Sequence, residues 1–455
     1  MCKEMWHCLL TPGYLAGPLP NLAFCDGPLP LWNTTTFRSC IFQPQFLFNT
    51  MDFFQNQVVL LTGATGGLGG CLLYKLAVVL RVPKIYVVIR KTPEKAIQTW
   101  STIMPNHVDE VLRTGSIKFV FGDLTAPQYG IAEHNIRALE KDVTIVINAA
   151  ANISLRLPLR QAVQDNCLSA LDLGEMATRF AELVCFVQVS SAYALSDLPD
   201  GPMEERIYPI GDADQLLNDI LSDKTDGSGE FAWPYARSKR LMECLLDRRI
   251  GQKVPLLIVR PTGIAPAIHE PFELYLPNAS CPLNTFYARM MYPTGGSAVF
   301  HAPVGFSSGK NIVDEIPVDL ASNIILQHVR RGTCGVVHAS SQSYIPRKFD
   351  DYLQDLARYV PDDWRIKMAR PVFTTDRTAR QCSVAEFYVI KSRNWLVKAD
   401  RSRDLDMSGP IGLDIGEHDL QAFTEKRVRR IYAETKKFLE TKEERAKSRQ
   451  LETKL

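Results

Sequence analysis

The sequence feature that most constrains the fold is a glycine-rich turn between an apolar strand and an apolar helix. Val58–Leu61 is a short apolar run, which is typical of a parallel strand buried on both faces. Gly63, Gly66 and Gly69 follow in the spacing T-G-x-x-G-x-x-G, and residues 71–80 then read as an apolar helix. Glycines in this context allow a tight turn, a close approach of the backbone to a pyrophosphate, and close packing of helix on strand. The pattern therefore predicts a dinucleotide-binding unit with the pyrophosphate at the helix N-terminus.

The composition is that of a globular protein and argues against several functional classes. The chain has 455 residues, of which 46% are apolar and 22% charged, with a net charge of +2. This size allows one large or two medium domains, and the near-neutral charge gives no basis for binding nucleic acid. The 11 cysteines are scattered without a C-x-x-C pair, which favours reduced thiols in an intracellular protein over disulfides or a metal site. No apolar run has the length that a transmembrane helix needs.

Strands and helices alternate along the chain, which predicts an α/β fold with a doubly wound parallel sheet of the Rossmann type. Each predicted strand ends in small or polar residues. Because ligands bind beyond the carboxyl ends of parallel strands, these ends form the predicted cofactor site. After the first strand, the predicted strands cover residues 85–89, 117–121, 144–147, 184–189 and 255–260, with a later strand near 335–340.

The end of the second strand indicates which dinucleotide binds. An acidic residue there would hold the ribose 2′-hydroxyl of NAD, whereas Arg90 with Lys91 can pair with a 2′-phosphate. We therefore expect NADPH as the cofactor, and the alternative is a solvated basic strand end. Asp123 can accept a hydrogen bond from the adenine amino group, and the small residues after Asn148 let the backbone lie against the cofactor. The predicted cofactor contacts are Thr62, Gly63, Thr65, Gly66, Gly67, Leu68, Gly69, Arg90, Asp123, Leu124, Asn148, Ala149, Tyr235, Lys239, Pro261 and Thr262.

A tyrosine and a lysine four residues apart form the candidate catalytic pair. Tyr235 and Lys239 share one face of a predicted helix, and Ser191 stands at the end of the preceding strand. Carbonyl reduction requires a proton on the oxygen. Tyr235 can donate it, and we expect the Lys239 ammonium to lower the pKa of Tyr235 and to hold the nicotinamide ribose. Ser191, or Ser190 as a second choice, would hydrogen-bond the carbonyl oxygen. The alternative for Tyr235 and Lys239 is an exposed pair on a helix surface. Asn166 lies within the helix predicted before Ser191, and a hydrogen-bonded core residue and a member of a proton relay are equally good interpretations of it.

The chain divides into three predicted regions. Residues 1–50 are rich in proline, glycine, cysteine and aromatic residues and nearly free of charge, which favours a poorly ordered extension. Residues 51–345 are predicted to form the NADP-binding domain, with insertions between 262 and 345 that supply a smaller mixed substrate-binding lobe. Residues 346–455 are predicted to be mostly helical, with a charged helix from Glu417 onward that ends in a solvated tail.

Several segments together carry a resemblance to a known family. The general ones are Phe53–Gly69, Ile85–Arg90, Gly122–Leu124, Val189–Tyr193 and Tyr235–Lys239, and the more specific ones are Ile258–Thr262, His269–Phe272 and Asp314–Asp319. With these segments, residues 52–330 resemble the fatty acyl-CoA reductase, or male-sterility, branch of the extended short-chain dehydrogenase/reductases. One departure is Gly67, where that branch usually has phenylalanine. The thioester reductase domains of carboxylic acid reductases and of peptide or polyketide synthetases use the same core.

The resemblance implies an NADPH-dependent reductase of an acyl thioester, either an acyl-CoA or a carrier-bound acyl group. One round of reduction would give an aldehyde and a free thiol, and a second round a primary alcohol. The alternatives are an extended-family dehydrogenase acting on a ketone or aldehyde and a non-catalytic NADP(H) sensor. The specific segments count against the first alternative, and the complete pair of Tyr235 and Lys239 counts against the second.

The expected location of the protein is the cytoplasm. Thr453-Lys454-Leu455 resembles the S-K-L peroxisomal address, so the peroxisome is the alternative location. A solvated tail that ends in leucine is the other interpretation of these residues.

Overall fold

A seven-stranded parallel sheet forms the centre of the protein. The structure is a computed structural model, and it describes residues 49–225, 231–387 and 392–452. The strands are β1 (Val58–Thr62), β2 (Lys84–Ile89), β3 (Ile117–Phe121), β4 (Ile145–Asn148), β5 (Cys185–Val189), β6 (Gly201–Met203), β7 (Leu256–Pro261), β8 (Gly263–Ala265), β9 (Ser297–His301), β10 (Glu315–Pro317), β11 (Gly335–Ala339), β12 (Arg370–Thr374) and β13 (Trp395–Val397). The sheet order is β3-β2-β1-β4-β5-β7-β11. The chain changes direction across the sheet between β1 and β4, which is where doubly wound sheets bind ligands.

The predicted sheet strands are confirmed, and their bounds differ from the prediction by one residue at most. Their apolar runs are explained by burial on both faces of the sheet. Leu60 and Val146 pack into one hydrophobic core, whereas their neighbours Leu61 and Ile147 pack into the core on the opposite face. This two-sided burial fixes the position of the strand ends that carry the site.

Helices cover both faces of the sheet. The α-helices are α1 (Thr50–Gln55), α2 (Gly67–Tyr74), α3 (Pro93–Ile103), α4 (Val108–Arg113), α5 (Glu133–Asp142), α6 (Leu159–Val163), α7 (Ser169–Ala177), α8 (Ala213–Leu221), α9 (Pro234–Ile250), α10 (Pro282–Met290), α11 (Val318–Arg330), α12 (Phe349–Tyr359), α13 (Asp362–Arg365), α14 (Ser383–Phe387) and α15 (Leu420–Glu452). A π-helical turn, Lys75–Val79, continues α2, and a second one, Gln164–Leu168, joins α6 to α7. The helix expected over residues 155–180 begins only at Leu159, because the extended Pro158 precedes its first turn.

Three two-stranded parallel sheets accompany the seven-stranded sheet, and two of them join a strand of the C-terminal region to an earlier strand. β10 pairs with β8, β12 with β9, and β13 with β6. The sequence analysis missed β12 and β13, which both lie in the region predicted to be mostly helical. The reason is local: β12 is short and contains Pro371, which argues against a strand when the sequence is taken alone.

Some sequence-based expectations fall outside the described residues. The predicted N-terminal extension, apart from residues 49 and 50, and Thr453–Leu455 belong to this group and stay predictions. Within residues 49–225, 231–387 and 392–452, no helix combines the length and the apolar character that a membrane span requires. The same residues hold no group of histidine, cysteine and carboxylate side chains arranged to bind a metal ion.

Candidate active site

The glycine turn between β1 and α2 has a geometry that requires glycine. Gly63 has a φ of +74°, and a β-carbon at this position would lie 2.7 Å from the backbone nitrogen of Ala150. A β-carbon on Gly69 would overlap the carbonyl oxygen of Gly63. The turn closes through a hydrogen bond of 2.8 Å from Gly66 N to Gly63 O. The first turn of α2 therefore presents its free N–H groups at a point where a phosphate can approach the bare backbone.

We expect Gly69→Ala to disrupt this turn. The added methyl group meets the Gly63 carbonyl, so the turn has to shift, at a cost of about 1–3 kcal/mol in unfolding free energy. The same shift weakens NADPH binding, which fluorescence titration would measure. Gly174→Ala is the control, because its β-carbon would meet the Ile250 side chain at 2.8 Å but Gly174 lies outside both cavities, so stability should fall without a change in dinucleotide affinity. Equal NADPH affinities in the Gly69→Ala variant and the wild type would contradict the account of this turn.

Two cavities meet at the glycine turn. The larger, of about 900 Å³, lies at the ends of β1, β2 and β3 and is lined by Arg90; we call it the Arg90 cavity. The smaller, of about 570 Å³, is lined by Tyr235 and Lys239, and we call it the Tyr235 cavity. Gly63 and Gly66 line both cavities. This arrangement fits a dinucleotide whose pyrophosphate crosses the turn and whose two ends occupy the two cavities.

The predicted cofactor positions divide between the two cavities, with one exception. Gly63, Gly66 and Ala149 line both; Thr62, Thr65, Arg90, Asp123 and Leu124 line the Arg90 cavity; and Gly67, Leu68, Gly69, Tyr235, Lys239, Pro261 and Thr262 line the Tyr235 cavity.

The exception is Asn148, which lines neither cavity. Its side chain accepts a hydrogen bond of 2.5 Å from the Thr62 hydroxyl and donates one of 2.8 Å to the Gln188 side chain. Thr62 in turn accepts a hydrogen bond from the Ala150 backbone. The Asn148 side chain thus links the carboxyl ends of three neighbouring strands, and this geometry gives no support to a cofactor contact by its side chain.

The Arg90 cavity is lined by three cations and by the carboxylates of Asp123 and Asp165. Arg90 and Lys91 line it as expected, and Lys95, which the sequence analysis did not single out, adds a third cation from the first turn of α3. Asp123 also lines the cavity, and its carboxylate accepts hydrogen bonds from the Thr125 N–H (3.0 Å) and hydroxyl (2.8 Å). These hydrogen bonds, with a smaller contribution from Arg90, hold the pKa of Asp123 below its usual value. Asp123 is therefore an ionised acceptor beside three cations.

The Tyr235 cavity brings together the predicted catalytic residues from two elements. Ser191 follows β5, while Tyr235 and Lys239 lie in the first turns of α9, which begins at Pro234. The Lys239 ammonium lies 6.0 Å from the centre of the Tyr235 ring and donates a hydrogen bond of 3.1 Å to the Val189 carbonyl. An exposed Tyr-Lys surface pair is therefore excluded, since Lys239 is only 1% exposed.

The expectation that Lys239 lowers the pKa of Tyr235 is wrong. Burial raises the pKa of Tyr235 to about 12, and the hydrogen bond with the Ser191 hydroxyl offsets this only in part. Burial also lowers the pKa of Lys239 to about 8. The physical reason is that desolvation disfavours both charged forms, while the ammonium is directed to a backbone carbonyl. Tyr235 is therefore protonated at neutral pH, as a proton donor must be.

A buried ion pair joins α9 to β7 one turn beyond Lys239. Glu243, one turn after Lys239, accepts two hydrogen bonds from Arg260, of 2.9 and 2.6 Å, and both side chains are fully buried. Glu243 favours the charged form of Lys239 and so offsets part of the effect of burial on its pKa. The sequence analysis placed Arg260 at a strand end but missed this pairing.

Asn166 and Ser190, two further polar residues near the Tyr235 cavity, differ in their hydrogen bonding. The Asn166 side chain accepts a hydrogen bond from Asn152 N at 2.8 Å and donates one to Asn152 O at 3.0 Å, which favours a positioning role for the 152–156 loop. The Ser190 hydroxyl is buried, lines the Tyr235 cavity, and has no hydrogen-bond partner among the described residues. Ser190 therefore stays open as the second choice for contacting a substrate oxygen.

Two of the more specific family segments, His269–Phe272 and Asp314–Asp319, contact each other. The Asp319 carboxylate accepts hydrogen bonds from the backbone of His269 (2.8 Å) and Glu270 (3.2 Å). Glu270 also forms an ion pair with the buried Lys75 in the π-helical turn after α2. The chain then reaches Leu276, which lines the cavity and packs against Gly67.

This fold and these cavities define a Rossmann-fold protein of the extended short-chain dehydrogenase/reductase type. A family model described as "Male sterility protein" matches residues 61–325. The chain belongs to this family, and the resemblance identified from its sequence segments is confirmed.

The relatives bear names consistent with this family. Human "Fatty acyl-CoA reductase 1" is 27% identical over 295 residues, which cover 60% of this chain and 55% of that protein. "Probable fatty acyl-CoA reductase 5" of Arabidopsis thaliana is 24% identical over 364 residues, covering 68% of this chain and 72% of that protein. The chain thus spans about half the length of the human relative.

Solved structures share the fold. The reductase domain of a nonribosomal peptide synthetase from Mycobacterium tuberculosis has a TM-score of 0.58 at 17% identity, covering 86% of this chain and 95% of that chain. A thiolation-reductase di-domain from an archaeal nonribosomal peptide synthetase has a TM-score of 0.54 at 18% identity, covering 84% of this chain and 91% of that chain.

Proposed function

We propose that this chain is an NADPH-dependent reductase of acyl thioesters that releases an aldehyde, or after a second round a primary alcohol. The observation that carries the proposal is the convergence of Ser191, Tyr235 and Lys239 in one cavity with the glycine turn. The names of the curated relatives support an acyl-CoA as the thioester. The complete catalytic pair, buried beside the dinucleotide site, counts against a non-catalytic sensor.

The choice of NADPH over NADH rests on the Arg90 cavity. Arg90, Lys91 and Lys95 together supply the positive charge that a 2′-phosphate requires. A guanidinium can form two parallel hydrogen bonds with a phosphate, so Arg90 is the residue expected to contribute most.

We expect Arg90→Ala to weaken NADPH binding about 10- to 100-fold, since a hydrogen bond to a charged group contributes about 1.5–3 kcal/mol. The affinity for NADH, which lacks the 2′-phosphate, should change little. Lys118→Ala is a matched control, because Lys118 is an exposed cation on β3 outside both cavities. The Kd values for both dinucleotides provide the measurement. An equal loss of NADH and NADPH affinity would contradict a specific role for Arg90.

The residues of the chain have separate roles in the proposed reduction. NADPH, when bound, supplies the hydride for the carbonyl carbon. Tyr235 donates its proton toward the carbonyl oxygen, and the Ser191 hydroxyl donates a hydrogen bond to the same oxygen. Lys239, whose ammonium donates a hydrogen bond to the Val189 carbonyl, would hold the nicotinamide ribose beside Tyr235. The resulting thiohemiacetal then loses its hydroxyl proton as its C–S bond breaks, which gives the aldehyde and a thiolate that takes up a proton to become the free thiol.

The experiment that tests this function is turnover of a series of acyl-CoA thioesters of increasing chain length by the purified protein with NADPH. We expect one free thiol for each NADPH consumed if the product is an aldehyde, and one for every two NADPH if it is an alcohol. NADPH binding without thiol release from any acyl-CoA or carrier-bound acyl group would contradict the proposal. Oxidation of NADPH by simple ketones at a higher rate would favour the dehydrogenase alternative.

A further inference from the structure

One wall of the Tyr235 cavity extends from the glycine turn along the helix α10. Ser280, just before this helix, lies beside Gly67, and Pro282, Thr285 and Arg289 line the cavity further on. The spacing of three and four residues puts Pro282, Thr285 and Arg289 on one face of α10. We call these four residues the α10 wall.

The α10 wall ends well away from the glycine turn. At a rise of about 1.5 Å per residue, Arg289 lies roughly 10 Å further along the helix than Pro282. Ser383 of α14 lines the same cavity, and α10 and α14 are in contact. The α10 wall therefore leads from the glycine turn to the cation Arg289, with the hydroxyl groups of Ser280 and Thr285 along it.

Apolar side chains also line the Tyr235 cavity. Ile153, Leu155 and Trp233 contribute apolar surface, with Ser154 and Arg156 as polar neighbours in the same lining, and Ile153 is 54% exposed. An acyl chain suits such a surface. The α10 wall, with its hydroxyls and a guanidinium, instead suits a polar chain that carries an anion.

Arg289 has no anionic partner among the described residues. It is exposed, and its guanidinium carbon lies 5.7 Å from the centre of the Tyr292 ring, a contact that orients the side chain. Arg427 on the neighbouring α15, by contrast, is buried and forms an ion pair with Glu315. A cation that lines a cavity without a carboxylate partner can bind an anion without first breaking an ion pair.

We propose that Arg289 binds the phosphate of the phosphopantetheine arm that carries the acyl group to the site. This inference rests on the proposed function and deepens it, because the arm is common to CoA and to carrier proteins. The arm would run along the α10 wall, with Thr285 and Ser383 available to its amide groups, while the acyl chain packs against Ile153, Leu155 and Trp233. Arg289 is a recognition residue in this account and takes no part in the proton transfer.

A purely structural role for Arg289 makes a different prediction. Arg289 lies in the last turn of α10, where a cation stabilises the negative end of the helix dipole. That role would affect stability alone. It would not distinguish a thioester that carries a phosphate from one that lacks it.

The test compares four thioesters of the same acyl group: acyl-CoA, acyl-phosphopantetheine, acyl-pantetheine and an acylated carrier protein. We expect Arg289→Ala to lower kcat/KM for acyl-CoA and acyl-phosphopantetheine about 10- to 100-fold and to leave acyl-pantetheine unchanged. Arg289→Lys should restore much of the loss, because it keeps the charge. Arg358→Ala is the matched control, since Arg358 is also an exposed arginine beside a tyrosine but lies outside the cavities.

The outcomes distinguish phosphate recognition by Arg289 from a contact with the carrier protein and from failure of the proposed function. An unchanged kcat/KM for acyl-CoA in Arg289→Ala, or an equal loss with acyl-pantetheine, would overturn the inference while the proposed function stands. A loss confined to the carrier protein would assign Arg289 to a protein contact instead. If the wild type turns over none of the thioesters, the proposed function fails, and calorimetric titration with CoA then decides the inference. Binding of CoA that is equally tight in the wild type and in Arg289→Ala would overturn it.

Discussion

Replacement of Tyr235 by phenylalanine is expected to lower kcat for thioester reduction by about 100- to 10,000-fold, the usual contribution of a positioned general acid. The ring would keep its place in the cavity, so the Kd of NADPH should change little. The reason for the loss is that Tyr235 holds a proton at neutral pH, with its pKa at about 12, and lies in the same cavity as Ser191. Steady-state rates and a fluorescence titration of NADPH provide the two measurements.

Tyr193→Phe is a matched control for this prediction. Tyr193 lines the same cavity, but its hydroxyl donates a hydrogen bond of 3.2 Å to the Asp314 carbonyl. Loss of that single hydrogen bond should cost about 0.5–1.5 kcal/mol of stability and affect turnover much less than the Tyr235 change does. Reductase activity that survives Tyr235→Phe undiminished, or that falls equally in both variants, would show that Tyr235 is not the proton donor.

Replacement of Arg427 by alanine is expected to cause the largest loss of stability, about 3–5 kcal/mol in the free energy of unfolding. Arg427 connects α15 to β10 and α10 through hydrogen bonds of 2.8 and 2.7 Å to the Glu315 carboxylate and one of 2.7 Å to the Asn284 side chain. Its guanidinium is only 5% exposed and Glu315 only 6%. Truncation therefore leaves a buried carboxylate without its partner, and urea unfolding would measure the cost.

Two variants check the cause of this loss. Arg429→Ala removes an exposed arginine from the same helix, and its pair with Glu425 should contribute less than 1 kcal/mol. The double variant Arg427→Met with Glu315→Leu removes both charges and should recover most of the lost stability. Similar stabilities for Arg427→Ala and Arg429→Ala would contradict the account of how α15 is held.

The core of the fold could be predicted because each part of it has a local signature. The strands at 58–62 and 145–148 are short apolar runs buried on both faces, and the glycine spacing after Thr62 leaves few alternatives to a phosphate-binding turn. Tyr235 and Lys239 could be placed together because a helix puts residues four apart on one face. These inferences depend on neighbours in the sequence, so no knowledge of the tertiary structure was needed.

The parts that could not be predicted depend on residues distant in the sequence. Glu243 and Arg260 lie on different elements, and only the packing of α9 against β7 shows that they pair. The Asn148 side chain forms hydrogen bonds with Thr62 and Gln188, which are also distant in the sequence, so its role could not be predicted either. The raised pKa of Tyr235 follows from its burial, which a sequence pattern does not measure.

The most direct test of the central claim follows a deuterium label from NADPH. The purified protein would be supplied with a fatty acyl-CoA and NADPH deuterated at C4 of the nicotinamide, in each stereochemical form, and the products analysed by mass spectrometry. The account predicts that one of the two forms delivers deuterium to carbon 1 of the product, one atom in an aldehyde and two in an alcohol, with release of CoA thiol. Intact acyl-CoA beside bound NADPH, or a product without deuterium at carbon 1 from either form, would contradict it.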